Sequence, residues 1–432
     1  MTPAMPAART RRSWWSADAV VGLLLAVMVG GLYLATITGG PAQVNDTRAA
    51  SVAAWSLGTR GTAALPEGWP ASHNYWGTES RDGRVLVNRF PGVAYWAAPA
   101  YALAAVTDDQ PEPVHPFLVD PTPARFTAAS TAAVAAGVLF VLLRTLVSPP
   151  TALAATLVVA TGTSLWSVAA NAMWPHGPAM LALVGMLLAW RRQHPIAAAA
   201  CAAVAVLVRP HLLLVVVLLA GWAMWRERAR DGVWLAAGGL VGVLGLSAYT
   251  WWAFGTPLPV AGYDAPGHLH GLLAQTPWAT ARELALALGS PTRGLLVASP
   301  VLVPGLVAVV SRWRLLPGWT KASAVAGLVY LVVQVRAVGH VGGDGFVAYR
   351  VSLEAVALAA PAIVAATVEL ARRQQGWLVA VAILASVSIG IHAWGAATGG
   401  IADTTQQRWE QIDDTVRERY GDAERHQADL DN

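Results

Sequence analysis

The sequence predicts an all-α, polytopic helical membrane protein with about 11 (10–13) transmembrane helices and a long outer first loop. Three observations carry that expectation. Of 432 residues, 55% are hydrophobic and only 12% are charged, against about 25% charged in an ordinary soluble domain. The mean hydropathy is +0.48. Apolar runs of membrane length recur along the chain, and arginine clusters fall in alternate gaps between them. Together these exclude a coiled coil, a disordered tail protein and an ordinary cytosolic enzyme. The pI near 9.4 does not indicate nucleic-acid binding, because the net charge is only +4 and the basic residues form small dispersed clusters. The single cysteine, Cys201, lies inside an apolar run, so the chain offers no intramolecular disulfide framework and no thiolate metal cluster.

A bilayer core about 30 Å thick is crossed by roughly 20 apolar residues of helix. The first such run is Ala17 to Thr38, preceded by Arg9, Arg11 and Arg12. It is too long for the core of a cleaved signal peptide and reads as an uncleaved span with residues 1–16 in the cytoplasm. Further spans are expected at 126–147, 151–170, 174–190, 195–208, 211–225, 232–254, 291–311, 320–339, 351–371 and 376–396. Arg144, the pair Arg191 and Arg192, the group Arg226, Arg228 and Arg230, then Arg312 with Arg314 and Arg372 with Arg373, fall in alternate loops, as cytoplasmic turns do. The loops 39–91, 255–290 and 340–350 and the tail after Gly399 then face outward, making residues 17–400 one multi-pass domain.

Three segments need separate readings. Residues 92–107 are apolar but short, with Pro99 in the middle; they read as a re-entrant or interfacial element, or as an extra span. The run 195–225 is broken by Arg209, Pro210 and His211, which predicts two short helices of about 14 residues meeting at Arg209 near the outer face. In the polar tail 401–432, Trp409, Ile412, Val416 and Tyr420 recur at helical spacing, as in an amphipathic surface helix.

The chemistry-bearing residues gather toward the outer side. The loop 39–91 opens with Asn45, Asp46, Thr47 and Arg48 and closes with Asn88, Arg89, Phe90 and Pro91. Loops of this length are usually functional or disordered, and Trp55, Trp69, Tyr75 and Trp76 argue against disorder, whether they serve as an interfacial belt or as sugar contacts. Asp46 at a cavity mouth has the chemistry of a general base toward a hydroxyl; as a helix cap it would have none. Arg89, Arg209, Arg293 and Arg350 each stand near Gly or Pro at an expected outer boundary, or beside Tyr349 in the last case. Guanidinium groups converging there suit a lipid phosphate, and snorkelling to the interface is the plainer alternative. His176 follows Trp174-Pro175, and no histidine spacing suggests a zinc site. Metal and cofactor are therefore not expected. Gly-rich phosphate loops and Gly-x-Ser-x-Gly elbows are absent.

The order of these features resembles the GT-C superfamily of membrane glycosyltransferases, in the bacterial part of its protein mannosyltransferase and aminoarabinose transferase branch. Asn45-Asp46 stands where that family carries its acidic base, and Asn88-Arg89-Phe90-Pro91-Gly92 where a Lys-Pro-Pro-Leu type motif occurs. Trp174-Pro175-His176, Val208-Arg209-Pro210, Phe254-Gly255-Thr256-Pro257, Ser290-Pro291-Thr292-Arg293-Gly294 and Gly342-Gly343-Asp344-Gly345 leading to Tyr349-Arg350 complete the likeness. The resemblance implies sugar transfer from a polyprenyl phosphate to an acceptor hydroxyl on the outer face of the cell membrane, the acceptor being a glycan, lipid or protein of the envelope. It implies Asp46 as the base, Arg89, Arg209, Arg293 and Arg350 as phosphate ligands, and Asn45, Arg48, His176 and Tyr349 as substrate contacts. A secondary transporter or flippase of a lipid-linked or small anionic substrate is the alternative, disfavoured because no internal repeat is visible.

Overall fold

The computed structural model describes residues 17–37, 45–69, 77–107, 112–259, 275–340, 348–374 and 376–399. The N-terminal segment, the tail, Tyr75, Trp76 and the glycine stretch 342–345 lie outside the described residues. In chain order the helices begin with α1 (Ala17–Thr36), α2 (Asn45–Arg60), α3 (Pro91–Ala94), α4 (Ala98–Thr107) and α5 (Thr122–Leu143). A small hairpin of β1 (Gly77–Glu79) and β2 (Val85–Val87) precedes α3, with Thr78 opposite Leu86. Next come α6 (Pro149–Thr161), α7 (His176–Arg191), α8 (Pro195–Val208), α9 (Leu213–Arg226) and α10 (Ala229–Phe254). The last third holds α11 (Pro277–Gly289), α12 (Leu295–Ala298), α13 (Leu302–Arg312), α14 (Gly318–Val338), α15 (Leu353–Ala371) and α16 (Gly376–Thr398).

Among the described residues, six helices are long and apolar enough to cross a membrane: α1, α5, α10, α14, α15 with its preceding turn, and α16. Their outer surfaces carry the residues that lipid would cover. Leu24 (62% exposed), Val27 and Met28 on α1, Leu240, Val241 and Leu244 on α10, and Val379 and Ile383 on α16 are open apolar side chains, in a density that water would not tolerate. The chain is a multi-pass membrane protein. The expected count of about 11 spans is not confirmed, because among the described residues several runs are cut by Pro and Gly. The expected span 151–170 ends at Thr161 ahead of Gly162 and continues as a π turn, Leu165–Ala169. The expected span 291–311 divides into α12 and α13 around Ser299-Pro300, since proline removes a backbone donor and clashes with the preceding turn.

Residues 92–107 form two short pieces, α3 and α4. The ten residues of α4 cover about 15 Å at 1.5 Å per residue, too little to cross. They join α2 and the hairpin in a layer of their own. Ala49, Ala53, Trp55, Trp69, Val87, Ala94 and Tyr101 form its core, with Trp55 and Trp69 stacked at 5.4 Å between ring centroids. These two tryptophans are therefore packing residues. Apolar run 195–225 divides into α8 and α9, with Arg209 in extended conformation between them.

Glycines let the long helices meet backbone to backbone, as small residues do in membranes. A Cβ on Gly137 of α5 would fall 2.4 Å from the carbonyl oxygen of Gly22 on α1. On α10, a Cβ on Gly238 would fall 2.2 Å from the carbonyl of Ala199 on α8, and one on Gly242 would fall 2.7 Å from Val206. The α8–α10 seam is consequently rigid, which matters because α8 ends at Arg209. A second tie is polar: buried His392 of α16 bonds Ser167 at 2.7 Å and Ser299 at 2.8 Å.

Candidate functional site

The site begins with α2. Its buried face, Ala49, Ala50, Val52 and Ala53, packs into the outer layer. This packing leaves Asp46, in the first turn, at the rim with 40% of its side chain exposed. The residues after β2 bring in a cation. Phe90 is extended and Pro91 starts α3, pre-set for a first helical position. Gly92 then lies so close to Leu207 and Val208 that a Cβ would sit 2.5 Å from their backbone. α3 is thereby pressed against the end of α8, and Arg89 reaches Asp46, its Nη2 donating to Oδ1 at 2.8 Å.

Two further segments close the cavity. Trp174-Pro175-His176 opens α7, and Tyr349-Arg350 precedes α15. The Arg350 guanidinium lies over the Trp174 ring, 3.9 Å from its centroid, with Nη2 3.9 Å from Asp46 Oδ2. Tyr349 is buried, and its hydroxyl donates to the Gly339 carbonyl at 2.8 Å. That bond fixes the backbone carrying Arg350. The resulting cavity, about 180 Å³, is lined by Asp46, Arg89, Phe90, Trp174, His176, Arg209, His211 and Arg350 among others.

Arg209 is at its floor, with four side chains within hydrogen-bond distance. Nε donates to His211 Nε2 at 3.1 Å, Nη2 to Gln334 Oε1 at 3.1 Å, and Nη1 to Glu354 Oε1 at 2.7 Å, with His176 Nδ1 2.8 Å from the same Nη1. Glu354, in the first turn of α15, is fully buried and also contacts His176 Nδ1 at 2.9 Å. The sequence reading missed Glu354 and Gln334. The available signal was a carboxylate near the start of the apolar run 351–371, since an ionisable residue inside a span is a functional hypothesis by default.

Asp46, Arg89, His176, Arg209 and Arg350 thus share one cavity, although the chain delivers them from five separate segments. The other sequence candidates do not join them. Arg48 is buried against Phe117, donating to its carbonyl at 3.0 Å and lying over its ring. Arg293 lines a separate apolar groove with Ile391 and Trp394. Asn45 opens α2, and its side chain lies outside the description. Tyr349 acts on the backbone instead of lining the cavity. Among the described residues no three His, Cys, Asp or Glu side chains come together as a metal would require.

Beside the cavity, α11 supports the approach to Arg350. Glu283 Oε2 accepts from the His340 backbone at 2.8 Å and meets its Nδ1 at 2.6 Å. The hydrogen bonds from His340 hold the Glu283 carboxyl below the usual carboxylate range. Gly339 has φ +69° there, and a Cβ would lie 3.3 Å from Glu283 Oε2. Ala348, just before Tyr349, sits at φ +97°, a region non-glycine residues occupy at a cost of about 1–3 kcal/mol.

No protein-family model matches the chain, and no curated protein matches it. Two solved structures are distantly similar. One is the Archaeoglobus fulgidus oligosaccharyltransferase tethered to an acceptor peptide containing an NVT sequon, at 11% identity and a TM-score of 0.48 over 96% of this chain. The other is the oligosaccharyltransferase AglB of the same organism with an inhibitory peptide and a dolichol-phosphate, at 12% identity and a TM-score of 0.47 over 93% of this chain. The chain spans 59% and 60% of the lengths of those two proteins.

Proposed function

We propose that the protein is a GT-C-type glycosyltransferase that moves a hexosyl or pentosyl group from a polyprenyl phosphate to an acceptor hydroxyl at the outer face of the membrane. The observation that carries this reading is the meeting of Asp46 with Arg89 and Arg350 in a cavity floored by Arg209. In the reaction, the acceptor oxygen bonds to the anomeric carbon as its proton passes to the Asp46 carboxylate. The bond from that carbon to the phosphate oxygen breaks, and its electron pair leaves with the polyprenyl phosphate, which gains one negative charge. Arg89 and Arg350 are fixed in advance where that charge grows, so they favour the transition state over the bound donor. Arg209, already hydrogen-bonded to His211, Gln334 and Glu354, acts by holding the cavity floor.

The test is to incubate purified protein with labelled polyprenyl-phosphate sugars and an acceptor-containing membrane extract. Label is expected to leave the lipid, and Asp46→Asn to stop it. The reading falls if wild-type protein leaves every labelled lipid intact, or if Asp46→Asn retains full activity. A flippase would instead move the intact labelled lipid across a vesicle bilayer. The buried Arg209–Glu354 pair favours keeping that second reading, because intramembrane ion pairs also mark transport pathways.

A further inference from the structure

His176 meets Arg209 and Glu354 through one ring nitrogen, Nδ1, and the chemistry of these two contacts favours one form of the ring. Glu354 Oε1 lies 2.7 Å from an Arg209 nitrogen and 2.9 Å from His176 Nδ1. A neutral carboxyl group here would leave the buried guanidinium without its counter-charge, a severe penalty away from water. The carboxylate is therefore ionised and has no proton to give. With a lone pair, Nδ1 would accept from Arg209 Nη1 at 2.8 Å but face the carboxylate acceptor to acceptor at 2.9 Å. With a hydrogen, it donates to the carboxylate and stands beside Nη1 as a second donor to the same oxygen. Among the described residues the buried Glu354 Oε2 has no hydrogen-bond partner, so the carboxylate needs that second donor, which places the hydrogen on Nδ1. A second proton on Nε2 would create an imidazolium 2.8 Å from the Arg209 guanidinium. The ring is thus neutral, with its lone pair on Nε2.

The ring is 2% exposed, yet it lines the cavity. With Nδ1 turned to Glu354, the edge that carries Nε2 is the one available to the cavity. Among the described residues Nε2 has no hydrogen-bond partner, and it is not among the sealed-off polar atoms. We propose that Glu354 is a positioning residue that locks His176 as the Nδ1–H tautomer, so that Nε2 accepts a hydrogen bond from a hydroxyl of the bound sugar. An acceptor nitrogen repels a phosphate, so His176 marks the sugar side of the cavity and the arginines the phosphate side. The sugar contact rests on the transfer reading above; the tautomer does not.

Nitrogen-15 NMR of histidine-labelled wild-type protein at neutral pH tests this directly, with the His176 signals assigned by their loss in His176→Gln. The expected wild-type signature is a protonated Nδ1 and an unprotonated Nε2. In Glu354→Leu, Nδ1 loses its acceptor and faces only the Arg209 donor, so the proton should move to Nε2; Glu354→Asp should keep the wild-type pattern. A wild-type ring protonated at Nε2 or at both nitrogens overturns the proposal, as does a Glu354→Leu spectrum matching wild type. If Glu354→Leu fails to fold, the wild-type spectrum alone still decides. In the transfer assay, wild type should reject a donor lacking the contacted hydroxyl by about tenfold to a hundredfold in kcat/KM, and Glu354→Leu should lose that discrimination. Equal use of every deoxygenated donor by wild type would overturn the sugar contact. Absence of any transfer by wild type would fell the reaction while leaving the NMR result to judge the tautomer.

Discussion

Arg209 and Glu354 stand 145 residues apart in the chain and 2.7 Å apart in the fold, both withdrawn from solvent. Removing one partner leaves the other charge buried and uncompensated, which costs about 3–5 kcal/mol. Glu354→Leu and Arg209→Met should each lower the unfolding free energy in detergent by that order. The double variant should recover most of the loss, because an apolar pair leaves no stranded charge. Equal and additive losses in the double variant would show that the two side chains do not act as a pair.

Asp46 is different in kind. It is 40% exposed and pairs with Arg89 at 2.8 Å, a geometry typically worth no more than about 1 kcal/mol at a wet rim. Asp46→Asn should therefore leave the unfolding midpoint nearly unchanged while sugar transfer falls by about a hundredfold to ten-thousandfold. A parallel loss of stability and activity would make Asp46 a structural residue.

These contrasts show what the sequence could reveal. Asp46, Arg89, His176, Arg209 and Arg350, which the fold gathers in one cavity, stand out in the sequence because polar groups interrupt apolar runs or border them, often beside Pro or Gly. Glu354 does not, since a carboxylate in the first turn barely alters the hydropathy of a 19-residue apolar helix. Arg48 lies outside the cavity because a helix turns about 200° over two residues, so packing that leaves Asp46 at the rim drives Arg48 toward Phe117. Arg293 lies outside it because Pro291, Gly294 and Pro300 break the expected span, and its segment lies against α16. The helix ends within 151–170 and 291–311 are hard to read for the same reason: hydropathy does not register where a proline or glycine ends a helix.

The α8–α10 seam connects packing to the site. A methyl group on Gly238 would collide with the Ala199 carbonyl, whereas one on Gly221 of α9 meets nothing within 4 Å. Gly238→Ala should lower stability by about 1–3 kcal/mol through overpacking. It should also reduce transfer, because α8 cannot shift without moving Arg209 at its end. Gly221→Ala should leave activity alone and raise stability by up to about 1 kcal/mol, since glycine is a poor residue inside a helix. Thermal unfolding and label release measured on the same samples separate the two, and equal behaviour of both variants would remove the seam as a determinant of Arg209 geometry.

The last prediction concerns acid. Glu283 accepts from both the backbone and the ring of His340, and those bonds depress its carboxyl pKa in the folded protein. A carboxyl group depressed on folding stabilises the fold at pH values above its unfolded pKa, about 4.3 for glutamate, and that contribution vanishes as pH falls through the folded value. Glu283→Gln should therefore be less stable than wild type near pH 7, by about 0.5–1.5 kcal/mol. The two proteins should converge below about pH 4 as the wild-type carboxyl takes up its proton. Because the Tyr349 hydroxyl bonds the carbonyl of Gly339, next to His340, the same substitution should loosen Arg350 and raise the donor KM more than it lowers kcat. A stability gap that persists unchanged into acid would mean that the Glu283 charge contributes nothing, and that α11 supports the site by packing alone.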